Sequence, residues 1–227
     1  MQSFENYDEH WGRRTCDIEF YVSEARKCGQ QVLELTCGTG RITIPLAEGG
    51  LSAVGVDNSL LRLRTAIKKS RLLGNSPRFI FEDCLTLEID QKFDAILLPY
   101  NGFSIFFQTK EKIEQLLGRV RAHLAEGGHF IFDVTNALVF NWYNPVPDVG
   151  RASPRISRIN WYNVNGEQGP TYPERINNFF PKEIEEILLN NDFEVVERWG
   201  DFNGKPFELS DKFQIYKCRA RANTPHP

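Results

Sequence analysis

A short loop with two glycines, residues 37–40 (CGTG), has the residue types and spacing that suit close contact with a nucleotide-like ligand. It follows an apolar run at residues 32–35, which is typical of a buried strand in a parallel sheet. Gly38 and Gly40 allow the backbone to turn tightly and to approach a ligand, because neither carries a side chain. Apolar residues after the loop recur at helical spacing, so the free N–H groups of a helix start face the same crevice. The pattern predicts a site for a nucleoside cofactor.

Acidic residues follow the next two predicted strands. The apolar run at residues 51–56 is followed directly by Asp57, and residues 78–83 (RFIFED) end in Asp83. A carboxylate at the tip of the second strand can accept hydrogen bonds from both hydroxyl groups of a ribose. Together with Glu34, these residues form the order acid, glycine loop, acid, acid, each at the end of a strand. That order strengthens the prediction of a nucleoside site.

The residues from Glu34 to Gly40 (ELTCGTG) resemble the first motif of the class I S-adenosylmethionine-dependent methyltransferases, usually an acid followed by G-x-G-x-G. Thr36 stands where that family most often has glycine. A dinucleotide fingerprint, G-x-G-x-x-G, would need a third glycine at the position of Thr43. The resemblance extends through residues 93–101 (FDAILLPYN) and 124–134 (LAEGGHFIFDV), so it covers nearly the whole chain.

The resemblance implies S-adenosyl-L-methionine as the cofactor and S-adenosyl-L-homocysteine as its product. In that family the second-strand acid, Asp57 here, holds the ribose, and the third-strand acid, Asp83, meets the adenine amino group. The backbone N–H after Asp83 meets the adenine ring, and the backbone after the fourth strand meets the methionine end. The residues expected to contact the cofactor are Tyr7, Glu34, Thr36, Cys37, Gly38, Thr39, Gly40, Asp57, Asn58, Glu82, Asp83, Cys84, Pro99 and Tyr100.

The implied reaction is an in-line displacement of the sulfonium methyl group by a nitrogen or oxygen nucleophile of a small molecule. The protein must then hold nucleophile, methyl group and sulfur in line, and a general base matters only if the nucleophile arrives protonated. Tyr100, Asn101 and His10 are candidates for catalysis, but none is assigned. No spacing of cysteines or histidines predicts a metal site. The residues expected to line the acceptor pocket are Asn101, Phe103, Trp142, Trp161 and Tyr172.

The chain is predicted to form one methyltransferase domain over residues 1–227. The resemblance implies an α/β fold, with a Rossmann-like doubly wound sheet of seven mostly parallel strands and an antiparallel C-terminal edge strand. The resemblance implies that residues 1–29, which are rich in aromatic residues, form an N-terminal helical lid over the cofactor, although these aromatic residues equally suit a segment that only covers one edge of the sheet. Residues 136–178 contain five prolines and a hairpin signal at Asn165-Gly166, which predict an inserted cap over the substrate.

Composition limits the class of protein further. A chain of 227 residues, 41% apolar and 25% charged, suits a single globular domain. Five cysteines without regular spacing argue against a disulfide framework and favour a reducing compartment. The net charge of −3 offers no general basic surface to nucleic acid, and no apolar stretch is long enough to span a membrane. We therefore expect a cytoplasmic monomer or homodimer whose partner is a small-molecule methyl acceptor.

Two alternatives remain open from the sequence. One is an NAD-dependent oxidoreductase, against which Thr43 at the third glycine position and the acid at Asp83 both count. The other is a relative that binds S-adenosylmethionine or a partner protein without catalysis. Measuring whether the protein binds S-adenosylmethionine or NAD distinguishes the methyltransferase from the oxidoreductase. Measuring turnover distinguishes it from the non-catalytic relative.

Overall fold

The computed structural model describes residues 14–107, 109–139, 156–158 and 175–221. The strands are β1 (Gln31–Leu35), β2 (Ser52–Asp57), β3 (Arg78–Phe81), β4 (Phe93–Leu98), β5 (Leu124–Thr135), β6 (Ile156–Arg158), β7 (Arg175–Asn177), β8 (Phe193–Trp199) and β9 (Phe213–Ala220). The helices are α1 (Ile18–Cys28), α2 (Thr43–Glu48), α3 (Leu60–Ser70), α4 (Gly102–Phe106), α5 (Lys110–His123) and α6 (Pro181–Asn190). None of these helices is both long and apolar enough to cross a bilayer.

Seven of the strands form one sheet in the order β3-β2-β1-β4-β5-β9-β8. Neighbouring strands from β3 to β5 run parallel, whereas β9 is antiparallel to both β5 and β8. The predicted Rossmann-like sheet, mostly parallel and with an antiparallel pair at its C-terminal edge, is confirmed. Within that pair β8 forms the outer edge and β9 lies one place inside it.

Strands β1 and β4 mark the point where the chain order of the sheet reverses. Strand β1 pairs in parallel with β2 on one side and with β4 on the other. In open α/β sheets a ligand-binding crevice forms at the carboxyl ends of the strands at this reversal point. The glycine loop after β1 and the loop after β4 are therefore expected to border the same crevice.

Apolar layers cover both faces of the sheet. Leu33 of β1 belongs to one layer together with Leu116 of α5. Val32, the preceding residue, belongs to the opposite layer with Phe20 of α1 and Ile42 before α2. Because successive side chains of a strand point to opposite faces, β1 is apolar on both sides. This is the burial expected for a central parallel strand, and it places the glycine loop on a rigid support.

Most predicted elements are found, with some changes at their ends. The side chain of Ser59 caps α3, since it accepts a hydrogen bond from the backbone of the first helical turn. Strand β5 begins at Leu124, ahead of the glycines at 127 and 128. The reason is that Leu124 pairs with Phe93 before the register between β4 and β5 shifts.

Helix α1, part of the predicted N-terminal lid, packs on the sheet. The ring of its Phe20 lies edge-on to Trp199 with the ring centres 5.1 Å apart, and 5.7 Å from the ring centre of Phe202. This part of the segment therefore packs on one face of the sheet. Residues 1–13 lie outside the described residues, so the lid itself stays a prediction.

Strands β6 and β7 form a separate antiparallel pair within the predicted cap. Phe179 follows β7 and forms a bridge with Asn136 at the end of β5. The Phe179 ring centre also lies 5.6 Å from that of Phe103 in α4, so this end of the cap is anchored to the core. The predicted hairpin turn at Asn165-Gly166 lies outside the described residues.

Candidate active site

The loop between β1 and α2 turns through left-handed backbone conformations. Gly38 and Gly40 have φ angles of 57° and 81°, a region that glycine adopts without steric cost. The N–H of Cys37 donates a hydrogen bond to the carbonyl oxygen of Val56 at 2.9 Å, which ties the loop to β2. Thr36 also has a positive φ, 56°, although it is β-branched. Such a residue is strained there, which explains why glycine suits this position in the resembled motif.

The carboxylate of Asp57 holds the glycine loop from the end of β2. Its Oδ2 accepts a hydrogen bond from the N–H of Gly38 at 2.8 Å, and its Oδ1 accepts one from the N–H of Ser59 at 2.8 Å. Each carboxylate oxygen retains a second lone pair, so both can still accept a hydroxyl hydrogen. In the same region Thr39 is buried and Asn58 is exposed. These carboxylate acceptors fit the hydroxyl groups of the ribose in a nucleoside cofactor.

Glu34, the first acid of the predicted motif, is a buried support of the loop. Its carboxyl group accepts a hydrogen bond from the hydroxyl of Thr43 at the start of α2. Burial raises the pKa of Glu34 to about 7, although the Thr43 hydrogen bond and the charge of Arg41 oppose this change. A Cβ on Gly55 would come within 2.8 Å of the Thr43 hydroxyl oxygen, so the glycine leaves room for the pair. Thr43 thus takes the third glycine position in order to hold Glu34.

The predicted adenine-binding residues follow β3. The N–H of Glu82 donates to the carbonyl oxygen of Asp57 at 3.3 Å, which brings the ends of β2 and β3 together. Asp83 is exposed, and its Oδ1 accepts a hydrogen bond from the N–H of Leu85 at 2.9 Å. Cys84 is buried, and burial raises the pKa of its thiol to about 12, so the thiol stays protonated. Glu82 and Asp83 are therefore the residues of this group whose carboxylates reach solvent, and Glu82 is joined to Asp57 through the backbone.

The loop after β4 is held by a carboxylate to which the sequence pattern gave no role. After the buried Pro99, Tyr100 and Asn101 have φ angles of 63° and 58°. The N–H of Tyr100 donates to Oδ1 of Asp133 at 2.7 Å, and the N–H of Asn101 donates to Oδ2 at 3.1 Å. Asp133 lies near the carboxyl end of β5 and is fully buried. Strand β5 therefore fixes the conformation of this loop.

Two arginines and a second buried carboxylate surround the ring of Tyr100. Arg41 donates to both carboxylate oxygens of Asp17, at 2.6 and 2.9 Å, and Nε of Arg14 lies 3.2 Å from the same carboxylate. The guanidinium carbons of Arg14 and Arg41 lie 5.1 and 5.2 Å from the centre of the Tyr100 ring, within cation–π range. Burial opposes the charge on Arg14, but the charges of Asp133 and Asp17 outweigh it and raise the Arg14 pKa. The tyrosine ring thus contacts two cations that are themselves held by Asp17.

Known proteins share this arrangement of loops and strands. Residues 32–128 match the family model described as a methyltransferase domain. The glycine/sarcosine N-methyltransferase of Halorhodospira halochloris is 25% identical, over 90% of this chain and 81% of its own. The solved structure of the CcbJ methyltransferase from Streptomyces caelestis has a TM-score of 0.78 at 18% identity, covering 96% of both chains. Residues 32–128 therefore belong to the methyltransferase-domain family. The prediction of that family is confirmed, and with it S-adenosyl-L-methionine as the cofactor.

A further relative of this methyltransferase is the cypemycin N-terminal methyltransferase of a Streptomyces species. The two are 36% identical over 112 residues. The matched part is 49% of this chain and 44% of the cypemycin enzyme. The match to the glycine/sarcosine enzyme covers 90% of this chain. The similarity to that enzyme therefore extends well beyond residues 32–128, which the family model matches.

Two residues that were expected in the acceptor pocket of the methyltransferase have other partners. Phe103 is 0% exposed, and its ring stacks on Phe132 with the ring centres 5.0 Å apart. It is a core residue, so its predicted contact with the acceptor is wrong. Asn101 is 9% exposed, and its Oδ1 accepts a hydrogen bond from the N–H of Thr135 at 3.0 Å. This contact directs the amide to β5 and makes Asn101 a support of the loop.

The remaining predicted site residues lie outside the part of the chain that the structure describes, and their roles stay predictions. They are Tyr7, His10, Trp142, Trp161 and Tyr172. His123 has a structural role, because its Nε2 accepts from the N–H of Ile89 at 3.1 Å while Nδ1 contacts the carbonyl oxygen of Arg119 at 2.8 Å. Within the described residues, no three His, Cys, Asp or Glu side chains are grouped to hold a metal ion.

Sequence reasoning missed the residues that hold Tyr100. They are Arg14, Asp17, Tyr21, Arg41 and Asp133. A usable signal existed for Asp133 alone: it is an acid near the end of an apolar strand, as Asp57 is. The others come from segments far apart in sequence, and no local pattern links them.

Proposed function

We propose that this methyltransferase transfers the methyl group of S-adenosyl-L-methionine to an amine nitrogen of a small molecule or short peptide. The observation that carries the proposal is the Asp57 carboxylate bound to the glycine loop at the reversal point of the sheet, which suits a nucleoside cofactor. The choice of nitrogen is supported by the relatives. One is named for N-methylation of glycine and sarcosine, and another for methylation of a peptide N terminus.

The residues proposed to hold the cofactor come from three strand ends. Asp57 would accept the ribose hydroxyls, and the backbone around Gly38 and Gly40 would border the methionine part, because no side chain stands there. Asp83 and the N–H of Cys84 would meet the adenine. When bound, the cofactor supplies a methyl group already activated on a sulfonium. The chain itself therefore needs no covalent intermediate and no metal for the proposed transfer.

The main contribution proposed for the protein is positioning. The loop of Tyr100 and Asn101 follows β4, next to the glycine loop, and both residues are locked by Asp133. Well-oriented reactants can gain about 7–11 kcal/mol over free encounter, which makes a rigid loop valuable here. A general base is required only for an amine that arrives as ammonium. Tyr100, half-buried between two guanidinium groups, is the candidate for that role within the described residues.

Two measurements test the proposed function. Calorimetric titration should show binding of S-adenosylmethionine and S-adenosylhomocysteine and no binding of NAD. Incubation with S-adenosylmethionine and a panel of amino acids, sarcosine, peptides, amines and phenols should then give methylated products, identified by mass, from amines. If the protein bound NAD and not S-adenosylmethionine, the proposed cofactor would be wrong. Methylation of phenols alone would overturn the choice of nitrogen, and cofactor binding without turnover of any amine would favour the non-catalytic alternative.

A further inference from the structure

The buried carboxylate of Asp133 gathers hydrogen-bond donors from two other segments of the chain. From the loop after β4 it accepts the N–H groups of Tyr100 at 2.7 Å and Asn101 at 3.1 Å. From the N-terminal segment it accepts the hydroxyl of Tyr21 at 2.6 Å and Nη2 of Arg14 at 3.3 Å. An ionised carboxylate with no solvent exposure is stable only when its oxygens are paired in this way. The three segments are thereby joined at one point.

The loop contacts matter because they hold an unfavourable backbone. Neither Tyr100 nor Asn101 is glycine, yet both have left-handed φ angles of 63° and 58°. A non-glycine residue in this region persists when its surroundings enforce it. Successive N–H groups in such a turn form a concavity that binds an anion, and here the anion is the Asp133 side chain itself. The carboxylate therefore sets the shape of the loop.

Tyr21 secures the other side of the same carboxylate. It lies in α1, it is fully buried, and its hydroxyl makes the shortest of the four contacts to Asp133. Burial and then the charge of Asp133 raise the pKa of Tyr21 well above its ordinary value, so its hydroxyl remains a hydrogen-bond donor. Helix α1 and the loop after β4 are thus tied through a single carboxylate at the end of β5.

We propose that Asp133 and Tyr21 are positioning residues for methyl transfer. Asp133 shapes the Tyr100–Asn101 turn, and Tyr21 keeps the Asp133 carboxylate oriented from helix α1. This role rests on the proposed function, in which the turn borders the reacting groups. Neither residue itself touches cofactor or acceptor in this proposal. Their effect is on the rate of transfer, through the precision with which the turn is held.

The test uses Tyr21→Phe, which removes only the hydroxyl, and a matched control, Tyr216→Phe. Tyr216 is also fully buried, but its hydroxyl donates to Oε1 of Gln214 at 2.7 Å and not to Asp133. Both variants lose one buried hydrogen bond, so both should lose similar stability. In the cofactor-free protein, amide hydrogen exchange at Tyr100 and Asn101 should rise by about tenfold or more in Tyr21→Phe and remain within about threefold in Tyr216→Phe. Equal exchange at these amides in the two variants would overturn the proposal.

The second measurement uses the amine that the acceptor panel identifies. Tyr21→Phe should lower kcat by about tenfold or more, while the Kd for S-adenosylhomocysteine and the acceptor KM stay within about threefold. Tyr216→Phe should leave kcat within about threefold. Asp133→Asn, which replaces one of the two accepting oxygens by an NH2 donor, should act in the same direction and more strongly. A kcat loss shared by the Tyr216→Phe control would mean a structural role and would overturn the proposal. If no amine is methylated, the proposed function fails, whereas the exchange measurement still decides whether Tyr21 holds the turn.

Discussion

The hydroxyl of Thr43 donates a hydrogen bond to the buried carboxyl group of Glu34, which links the start of helix α2 to strand β1 directly under the glycine loop. The pair shows why a threonine serves where a dinucleotide-binding fold would place a third glycine. The hydroxyl satisfies an acid that burial would otherwise leave unpaired. It also makes the loop sensitive to the protonation of Glu34.

Stability is expected to depend on pH through Glu34. Its folded pKa of about 7 lies above the ordinary value of 4.5, so the folded state binds more protons than the unfolded state between these values. The contribution is therefore full at low pH and is lost as the pH rises from about 4.5 through about 7. Glutamine at this position cannot ionise. The unfolding free energy of Glu34→Gln minus that of the parent should therefore increase by about 2–3 kcal/mol from pH 5 to pH 8. Urea unfolding at both pH values measures this.

A control for Glu34 is available on the surface. Glu126 is exposed. The difference in unfolding free energy between Glu126→Gln and the parent should be nearly the same at the two pH values. A constant difference between Glu34→Gln and the parent would mean that Glu34 ionises normally in the folded protein.

Asp57→Ala is expected to weaken the binding of S-adenosylhomocysteine by about ten- to a hundredfold, because charge-assisted hydrogen bonds contribute about 1.5–3 kcal/mol. The variant also loses acceptors for the N–H groups of Gly38 and Ser59, so some stability should be lost with it. Asp94→Ala separates the two effects. Asp94 likewise accepts two backbone N–H bonds, from Gln30 at 2.8 Å and Gln31 at 2.9 Å, at the opposite end of β1. Calorimetry should show parental affinity in that control, and equal losses in both variants would refute the ribose assignment.

Thr36→Gly is expected to stabilise the fold. The left-handed conformation strains a β-branched residue by about 1–3 kcal/mol, whereas glycine costs about 0.5–1 kcal/mol in backbone entropy. The net gain in unfolding free energy should be about 1 kcal/mol by urea denaturation. Thr39→Gly, at a loop position without a positive φ, should instead lose stability. A loss in Thr36→Gly would show that the threonine side chain contributes more than its strain costs.

Asn101→Ala is expected to destabilise the protein by about 1–3 kcal/mol, since the N–H of Thr135 loses its acceptor. Asn101→Gly loses the same hydrogen bond but tolerates the left-handed φ, so it should be less harmful than alanine. Affinity for S-adenosylhomocysteine should stay within about threefold in both variants, because Asn101 is directed to β5. Chemical denaturation and calorimetry check the two statements. Identical stability of the glycine and alanine variants would mean that the backbone conformation is not strained.

Sequence patterns were sufficient where function depends on residues close together in the chain. The glycine loop, Asp57 and Asp83 each follow an apolar strand, so their neighbourhood could be predicted from strand order alone. Phe103 was misassigned because an aromatic residue two places after a glycine-flanked turn looks the same whether it faces ligand or core. Its burial follows from Phe132 and Phe179, which are distant in sequence. The contact between Tyr21 and Asp133 spans 112 positions and leaves no local pattern.

Strand β9 follows all the other described strands in sequence, yet it lies inside the sheet between β5 and β8. Its Tyr216 stacks on Phe132 of β5 with the ring centres 5.3 Å apart. During synthesis, the β5 side of the sheet cannot be completed until residues 213–220 have left the ribosome. Until then β5 presents an unpaired apolar edge, and such edges pair readily with other chains. Translation that stops before β9 therefore yields a substrate for chaperones and proteases rather than a smaller working enzyme.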